Sequence, residues 1–195
     1  MTDDQPYLEG FAPAPRTAVE ARRAARKLFF ALRPDEAIAA RVTALSSRLK
    51  RDNCLAGKPL KSENLHVTVF PFWQGDAVTA DLVEDASRCA QAIQASAFDV
   101  VFDMAMSFRR KEDYCLVLGD TRGAAGIYNL QRKFVMCFPH IRAGSLTPHM
   151  TLLYADKFVD KQPVEPVRWM ARDFVLIQSF VGQGRHQVMA RWPLR

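Results

Sequence analysis

The sequence has no long apolar run, and its apolar stretches fall well short of the roughly 20 residues that a bilayer-spanning helix needs. We therefore expect no contact with a membrane. The opening segment MTDDQPYLEG is acidic and polar, whereas a signal peptide begins with basic and then apolar residues. On this basis we expect a cytoplasmic protein.

Cysteine is scarce, with four residues that are widely separated along the chain and form no CxxC pair. This spacing is unlike that of a zinc knuckle or a disulfide framework, and it predicts free thiols. The metal-binding patterns HxH and HExxH are also missing. We therefore expect no metal site.

Apolar residues make up 49% of the chain and charged residues 25%, which is ordinary for a globular protein. The first residues combine prolines and glycine with few large apolar groups, so we expect residues 1–26 to form a flexible tail. Residues 27–195 are expected to form a single domain. The net charge of +6 favours an anionic partner, because positive potential concentrates phosphate-bearing ligands.

Hydrophobic periodicity predicts the order strand, helix, strand twice. In the first copy, strands at 28–32 and 65–70 flank a helix that begins near Pro34. In the second copy, strands at 114–118 and 148–154 flank a helix that carries Ile127 and Leu130. Further predicted elements are a helix at 78–95, a strand at 98–108 and a closing hairpin at 172–180 and 186–192. The repeat indicates an ancient duplication, and we expect an α+β fold whose two lobes are related by a pseudo-twofold axis.

Each copy ends in His-apolar-Thr-apolar, at His66 with Thr68 and at His149 with Thr151. Residues i and i+2 of a strand point to the same side, so each motif presents an imidazole and a hydroxyl together. One strand histidine alone is more often a packing residue than a catalyst, but the matched pair favours a catalytic interpretation. Histidines 140 and 186 have no such partner, and we expect them to be structural.

Two imidazoles suit in-line displacement at phosphorus, where one group takes a proton from the nucleophile and the other protonates the leaving oxygen. Histidine serves both roles because its pKa of about 6.5 lies near neutrality. The threonine hydroxyls are suitable donors to the phosphate oxygens on which charge accumulates.

These residues resemble the 2H phosphoesterase superfamily, in the branch called 2'-5' RNA ligase or RNA 2',3'-cyclic phosphodiesterase. The likeness covers residues 28–194 and includes the strand LFFAL, both histidine motifs and the ending RWPL. It implies a bilobal fold in which two antiparallel sheets line a central cleft, with no cofactor. It also implies hydrolysis of a 2',3'-cyclic phosphate to a 2'-phosphate, with His66 as the acid and His149 as the base. Reversal of that reaction joins RNA ends through a 2'-5' bond.

The chain departs from this family at one position, because many relatives carry an arginine shortly after the second motif, where this chain has Leu153 and Tyr154. Tyr154 offers a hydroxyl or a stacking face instead, and Arg185 offers a charge. Core packing for Tyr154 and a solvated turn for Arg185 are equally good interpretations. The expected partner is RNA or a nucleotide with a 2',3'-cyclic phosphate, and the expected assembly is a monomer.

Two alternatives remain open at the level of the sequence. One is a nucleotide-binding or RNA-binding module with weak or no catalysis, which the missing arginine suggests. The other is a phosphodiesterase that acts on a different cyclic phosphate or on a 2'-5' oligonucleotide.

Overall fold

The computed structural model describes residues 25–121, 124–141 and 146–195. Nearly all of the predicted N-terminal tail lies outside the described residues. The first strand begins at Arg26, one residue before the predicted start of the domain.

The described chain consists of eight strands, three α-helices and a short 3₁₀ turn. The strands are β1 (Arg26–Leu32), β2 (Val67–Gly75), β3 (Phe98–Arg109), β4 (Tyr114–Gly119), β5 (Met150–Ala155), β6 (Gln162–Ala171), β7 (Asp173–Phe180) and β8 (Arg185–Pro193). The helices are α1 (Glu36–Asp52), α2 (Ala80–Ala92) and α3 (Ala125–Cys137), and the 3₁₀ turn is Ser62–Asn64. No described helix is both long enough and apolar enough to cross a bilayer.

Helix α1 shows how local sequence sets these boundaries. The Asp35 side chain caps the helix by accepting a hydrogen bond of 2.8 Å from the Ile38 amide. Val42, Leu45 and Leu49 recur at helical spacing, and all three are buried against the sheet. The predicted helix is therefore confirmed, with its inner face on the expected residues.

All eight strands form one sheet, in the order β6-β3-β4-β5-β2-β1-β7-β8. This corrects the expectation of two separate sheets. Strands β2 and β5 meet in the middle through one antiparallel residue pair, Val67 with Met150, whereas β1 and β2 share seven such pairs. That central pair joins two four-stranded halves, so the α+β prediction is right but the sheet is continuous.

The two inner strands of each half correspond, whereas the outer strands differ, since β7 and β8 are consecutive in the chain and β3 and β6 are not. Strand β1 stands beside β2 as β4 stands beside β5, and a helix connects the two strands in both cases. This arrangement agrees with the duplication expected from the sequence.

Strand β6 was missed by the sequence analysis. It contains Pro163 and Pro166, which remove two backbone donors and disguise a strand. It lies at one edge of the sheet and pairs only with β3 among the described strands, so prolines are tolerated there.

The main core lies between one face of the sheet and the three helices. Its largest fully buried side chains include Phe30, Phe70, Phe102, Phe134 and Phe174. The other face of the sheet carries two small buried clusters. They consist of Phe29, Ala31, Val175 and Ile177 in one half and of Phe108, Cys115 and Val117 in the other. This second face, with little apolar covering, is where the histidine motifs lie.

Candidate active site

The pair of Val67 and Met150 determines which side chains share the second face of the sheet. Both residues are fully buried in the main core. Because strand side chains alternate between faces, the residues immediately before and after each of them point to the opposite side. The structure therefore brings the four motif side chains together on one face, next to the centre of the sheet; these are His66, Thr68, His149 and Thr151.

Antiparallel pairing also fixes how these four side chains face each other. The residue before Val67 lies across from the residue after Met150, which places His66 opposite Thr151 and Thr68 opposite His149. The two imidazoles are thus diagonal neighbours across the central pair.

Both imidazoles are held by the same local contact. Nδ1 of His66 lies 2.7 Å from the Asn64 carbonyl oxygen, and Nδ1 of His149 lies 2.7 Å from the Thr147 carbonyl oxygen. A carbonyl oxygen only accepts, so each Nδ1 carries the proton and donates it. The neutral rings therefore have their lone pair on Nε2, and neither Nε2 atom has a hydrogen-bond partner among the described residues.

An aromatic ring supports each imidazole from the side. Phe29 lies 5.0 Å from His66 between ring centroids, and Phe108 lies 5.0 Å from His149. The supporting rings come from different positions in the two halves, since Phe29 is on β1 next to β2 whereas Phe108 is on β3. Each imidazole therefore packs against a phenylalanine ring, but the two rings come from strands that are not equivalent in the two halves.

The two threonines differ in their surroundings. The hydroxyl of Thr151 lies 3.4 Å from the Cys115 thiol, which is buried, and burial raises the pKa of that thiol. Because the thiol stays protonated, it is a weak partner and leaves the hydroxyl available. Thr68 is half-buried, and its hydroxyl has no hydrogen-bond partner within residues 25–121, 124–141 and 146–195.

Electrostatics separate the two histidines. The pKa of His66 is lowered to about 3, first by burial and then by His186, with smaller effects from His149 and Arg33. Burial also lowers the pKa of His149, against the hydrogen bond to Thr147, which raises it. Both rings are therefore neutral near pH 7 in the protein without ligand, and His66 is the harder one to protonate.

His186 is a site residue that the sequence analysis missed. Its ring lies 5.0 Å from the His66 ring and 5.8 Å from Phe29. The turn before β8 reaches this position because the Asn64 side chain donates a 2.8 Å hydrogen bond to the Gly184 carbonyl oxygen. One asparagine thus holds His66 through its main chain and the His186 hairpin through its side chain. Nothing in the sequence near position 186 signals this contact.

Within the described residues, no three His, Cys, Asp or Glu side chains are placed to hold a metal ion.

Comparison with known proteins decides the family. The model of the 2'-5' RNA ligase superfamily matches residues 34–179, which include both histidine motifs. The chain belongs to the 2'-5' RNA ligase superfamily. The resemblance to 2H phosphoesterases drawn from the two motifs is therefore confirmed. A search of curated protein sequences gave no match.

Solved structures show the fold of this 2'-5' RNA ligase superfamily member in other proteins. E. coli LigT in its apo form has a TM-score of 0.72 and 23% identity, over 87% of this chain and 98% of LigT. LigT complexed with 3'-AMP has a TM-score of 0.69, also at 23% identity, over 88% of this chain and 98% of LigT. TT0787 of Thermus thermophilus has a TM-score of 0.67 and 16% identity, over 87% of this chain and 98% of that protein.

Two further residues were predicted to bind substrate in this superfamily member. Tyr154 lies on β5 with 46% of its surface exposed, and the Arg110 guanidinium lies 4.5 Å from the centre of its ring. Arg185 stacks 3.7 Å from the centre of the Phe180 ring, at the start of β8. Arg110 was not predicted. Arg110 comes from the turn after β3 and places a cation beside Tyr154. Many relatives carry an arginine at about the position of Tyr154 itself.

Proposed function

We propose that this member of the superfamily hydrolyses 2',3'-cyclic phosphate ends of RNA or nucleotides to 2'-phosphates, with His66 and His149 as its acid and base. The observation that supports this most directly is the matched pair of imidazoles on one face, each with its Nδ1 bonded to a carbonyl and its Nε2 free. A phosphate bound between the two Nε2 atoms would have the base on one side and the acid on the other. In-line displacement requires this arrangement, because the nucleophile and the leaving group lie on opposite sides of phosphorus.

In the proposed step, Nε2 of His149 takes a proton from water while the water oxygen bonds to phosphorus. The bond from phosphorus to the 3' oxygen breaks, and the protonated Nε2 of His66 gives its proton to that oxygen. The 2' oxygen keeps the phosphate. When a 5' hydroxyl replaces water, the same step joins two RNA ends through a 2'-5' bond. General acid and base catalysis of this kind contributes about 10²–10⁴-fold for each group.

The acid requires a proton that the ligand-free site disfavours, since the pKa of His66 is about 3. A cyclic phosphate diester carries one negative charge. Placed beside the ring, this charge stabilises the imidazolium and raises the pKa of His66. The proposal therefore includes substrate-assisted protonation of His66.

In the proposed complex, two threonine hydroxyls and one cation stabilise the negative charge on the non-bridging phosphate oxygens. Thr68 and Thr151 lie on the same face as the imidazoles and donate to these oxygens in the proposed complex. Arg110, stacked on Tyr154, supplies positive charge from the β3 and β4 turn. That LigT forms complexes with phosphate and with 3'-AMP further supports a phosphate ligand for this fold.

The test is hydrolysis of a 2',3'-cyclic nucleotide in the presence of EDTA. We expect turnover that is unaffected by chelation and a loss of about 10²–10⁴-fold in kcat for His66→Ala and for His149→Ala. His140→Ala is the control, because His140 is exposed and contacts only Phe138 among the described aromatic rings. Wild-type rates in both site variants would eliminate the proposal.

A second candidate is a nucleotide-binding module without useful catalysis. It is favoured by one observation, the strongly lowered pKa of His66, which leaves the free protein without a ready acid. This candidate would be supported if wild type and His66→Ala both bind a cyclic nucleotide and neither forms product. Product analysis that finds a 2'-phosphate would instead support the hydrolase.

A further inference from the structure

At the start of helix α1 lies a cavity of about 510 Å³ with an excess of positive charge. Its wall includes four guanidinium groups and two carboxylates, which belong to Arg33, Arg168, Arg172, Arg191, Asp35 and Asp173. None of these side chains has a role in the proposed reaction.

Both carboxylates of the cavity already have partners. Asp173 forms an ion pair of 2.6 Å with Arg191, and Asp35 caps helix α1 by accepting from the Ile38 amide. Arg168 and Arg172 are exposed, and neither has an ion pair within the part of the chain that the structure describes. The cavity therefore presents unneutralised guanidinium groups, whose planar forks fit phosphate oxygens.

Arg33 connects this cavity to the proposed active site. It follows β1 directly, and since Leu32 pairs with Val67, Arg33 lies across from His66. Its guanidinium donates to the Glu63 carbonyl oxygen at 2.8 Å, which keeps it at the boundary between the two regions. Its charge also acts on both His66 and His186, lowering the pKa of each.

The chemistry of an RNA end suggests what enters this cavity. A 2',3'-cyclic phosphate uses both ribose hydroxyls of the last nucleotide, so the strand continues only through the 5' oxygen to the preceding phosphate. A strand whose end lies between the imidazoles can therefore extend past Arg33. We propose that the arginine cavity binds the phosphate on the 5' side of the terminal nucleotide, so that the preferred substrate is an RNA strand and not a lone cyclic nucleoside.

This inference rests on the proposed function for its substrate, and two measurements separate the two claims. The first compares kcat/KM for adenosine 2',3'-cyclic phosphate, for its 5'-phosphorylated form and for an ApA dinucleotide with the same cyclic end. We expect the two substrates with a second phosphate to exceed the first by about tenfold, the scale of one charge-assisted contact. The double variant Arg168→Ala/Arg172→Ala should lose this preference and retain the rate on the first substrate.

If kcat/KM rises for the 5'-phosphorylated nucleoside as well as for ApA, the cavity binds a phosphate monoester as well as a diester. If kcat/KM rises only for ApA, the cavity binds the phosphodiester of an RNA strand. Both results support the cavity as a phosphate site. The matched control is Arg48→Ala/Arg51→Ala, which removes the same number of charges from the exposed C-terminal part of α1. Equal loss of preference in this control, or an unchanged preference in the cavity variant, would overturn the inference.

The second measurement needs no turnover. Binding of a single-stranded RNA octamer is followed by fluorescence anisotropy across a salt series, where each phosphate contact contributes about 0.7 to the slope of log K against log salt. We expect the cavity variant to reduce this slope by about 0.7–1.4 relative to wild type and to the control. If no cyclic phosphate is hydrolysed but the slope changes in this way, the proposed function fails and the cavity is supported. If hydrolysis occurs and the slope is unchanged, the proposed function is supported and the phosphate-binding role of the cavity fails.

Discussion

The ring of His186 lies 5.0 Å from the ring of His66, with the two planes inclined by 71°. His186 lowers the pKa of His66, and burial together with Arg33 lowers the pKa of His186 itself. We therefore expect His186→Ala to raise the pKa of His66, because the variant removes a competing charge and admits water. The Cε1 proton of His66, followed by NMR titration, reports this pKa directly.

The same change has a kinetic counterpart in the proposed reaction. The limb of the kcat/KM profile that belongs to His66 should move to higher pH in His186→Ala. His140→Ala is the control and should leave both the titration and the profile unchanged. A His66 titration that is identical in wild type and His186→Ala would show that the two rings do not interact.

Acid stability should depend on His66. Its folded-state pKa of about 3 lies below the unfolded value of 6.5, so the unfolded chain binds a proton between these values that the folded chain does not. The resulting stability is present above pH 6.5 and is lost as the pH falls toward 3. At about 1.4 kcal/mol per pH unit, the loss between about pH 7 and pH 4.5 is on the order of 2–3 kcal/mol.

His66→Asn removes this contribution, so its stability should fall by about 2 kcal/mol less than that of wild type over the same range. Urea unfolding at about pH 7 and pH 4.5 measures the difference, with His140→Asn as the control. An equal loss in wild type and His66→Asn would contradict the lowered pKa.

The threonine hydroxyls should matter for the rate and little for the fold. Thr68→Val and Thr151→Val keep the side-chain shape and remove the donor, so each should lower kcat by about 10–10³-fold. Serine at either position should restore much of the rate. Thr43→Val is the control, since the Thr43 hydroxyl only donates to the Ala39 carbonyl oxygen within α1. Unchanged kcat in both site variants would exclude the hydroxyls from the reaction.

Two glycines with positive φ should respond differently to alanine. At Gly57, with φ of +90°, an added Cβ would lie 2.1 Å from the Tyr154 carbonyl oxygen. At Gly184, with φ of +59°, it would meet nothing within 4 Å. We expect Gly184→Ala to cost about 1 kcal/mol from its left-handed backbone alone, and Gly57→Ala to cost at least about 2 kcal/mol more. Thermal or urea unfolding of the two variants measures this difference, and equal losses would contradict the contact at Tyr154.

Much of the fold was accessible from local patterns in the sequence. Helix α1 follows from Pro34, the Asp35 cap and the periodic Val42, Leu45 and Leu49. The shared face of the two histidine motifs follows from strand alternation and from the repeat. These features depend on neighbours within a few residues, so the sequence alone was enough to predict them.

The remaining features depend on contacts between distant segments. The continuous sheet rests on the pairing of Val67 with Met150, which no local pattern specifies. His186 joins His66 only because the Asn64 side chain bonds to Gly184, 120 residues away. Arg110 reaches Tyr154 from a turn that is merely charged in the sequence. Contacts between residues so far apart in the sequence can be identified only from the folded structure.

The central pair of the sheet also bears on how such a molecule can arise. Around Val67 and Met150, the histidine of each half faces the threonine of the other, which is the reciprocal pattern that a twofold axis imposes on two identical subunits. Each half of the sheet carries one imidazole and one hydroxyl, so neither half holds the quartet by itself. The two halves nevertheless differ in charge, because Arg33 acts on His66 whereas only burial and the Thr147 carbonyl act on His149.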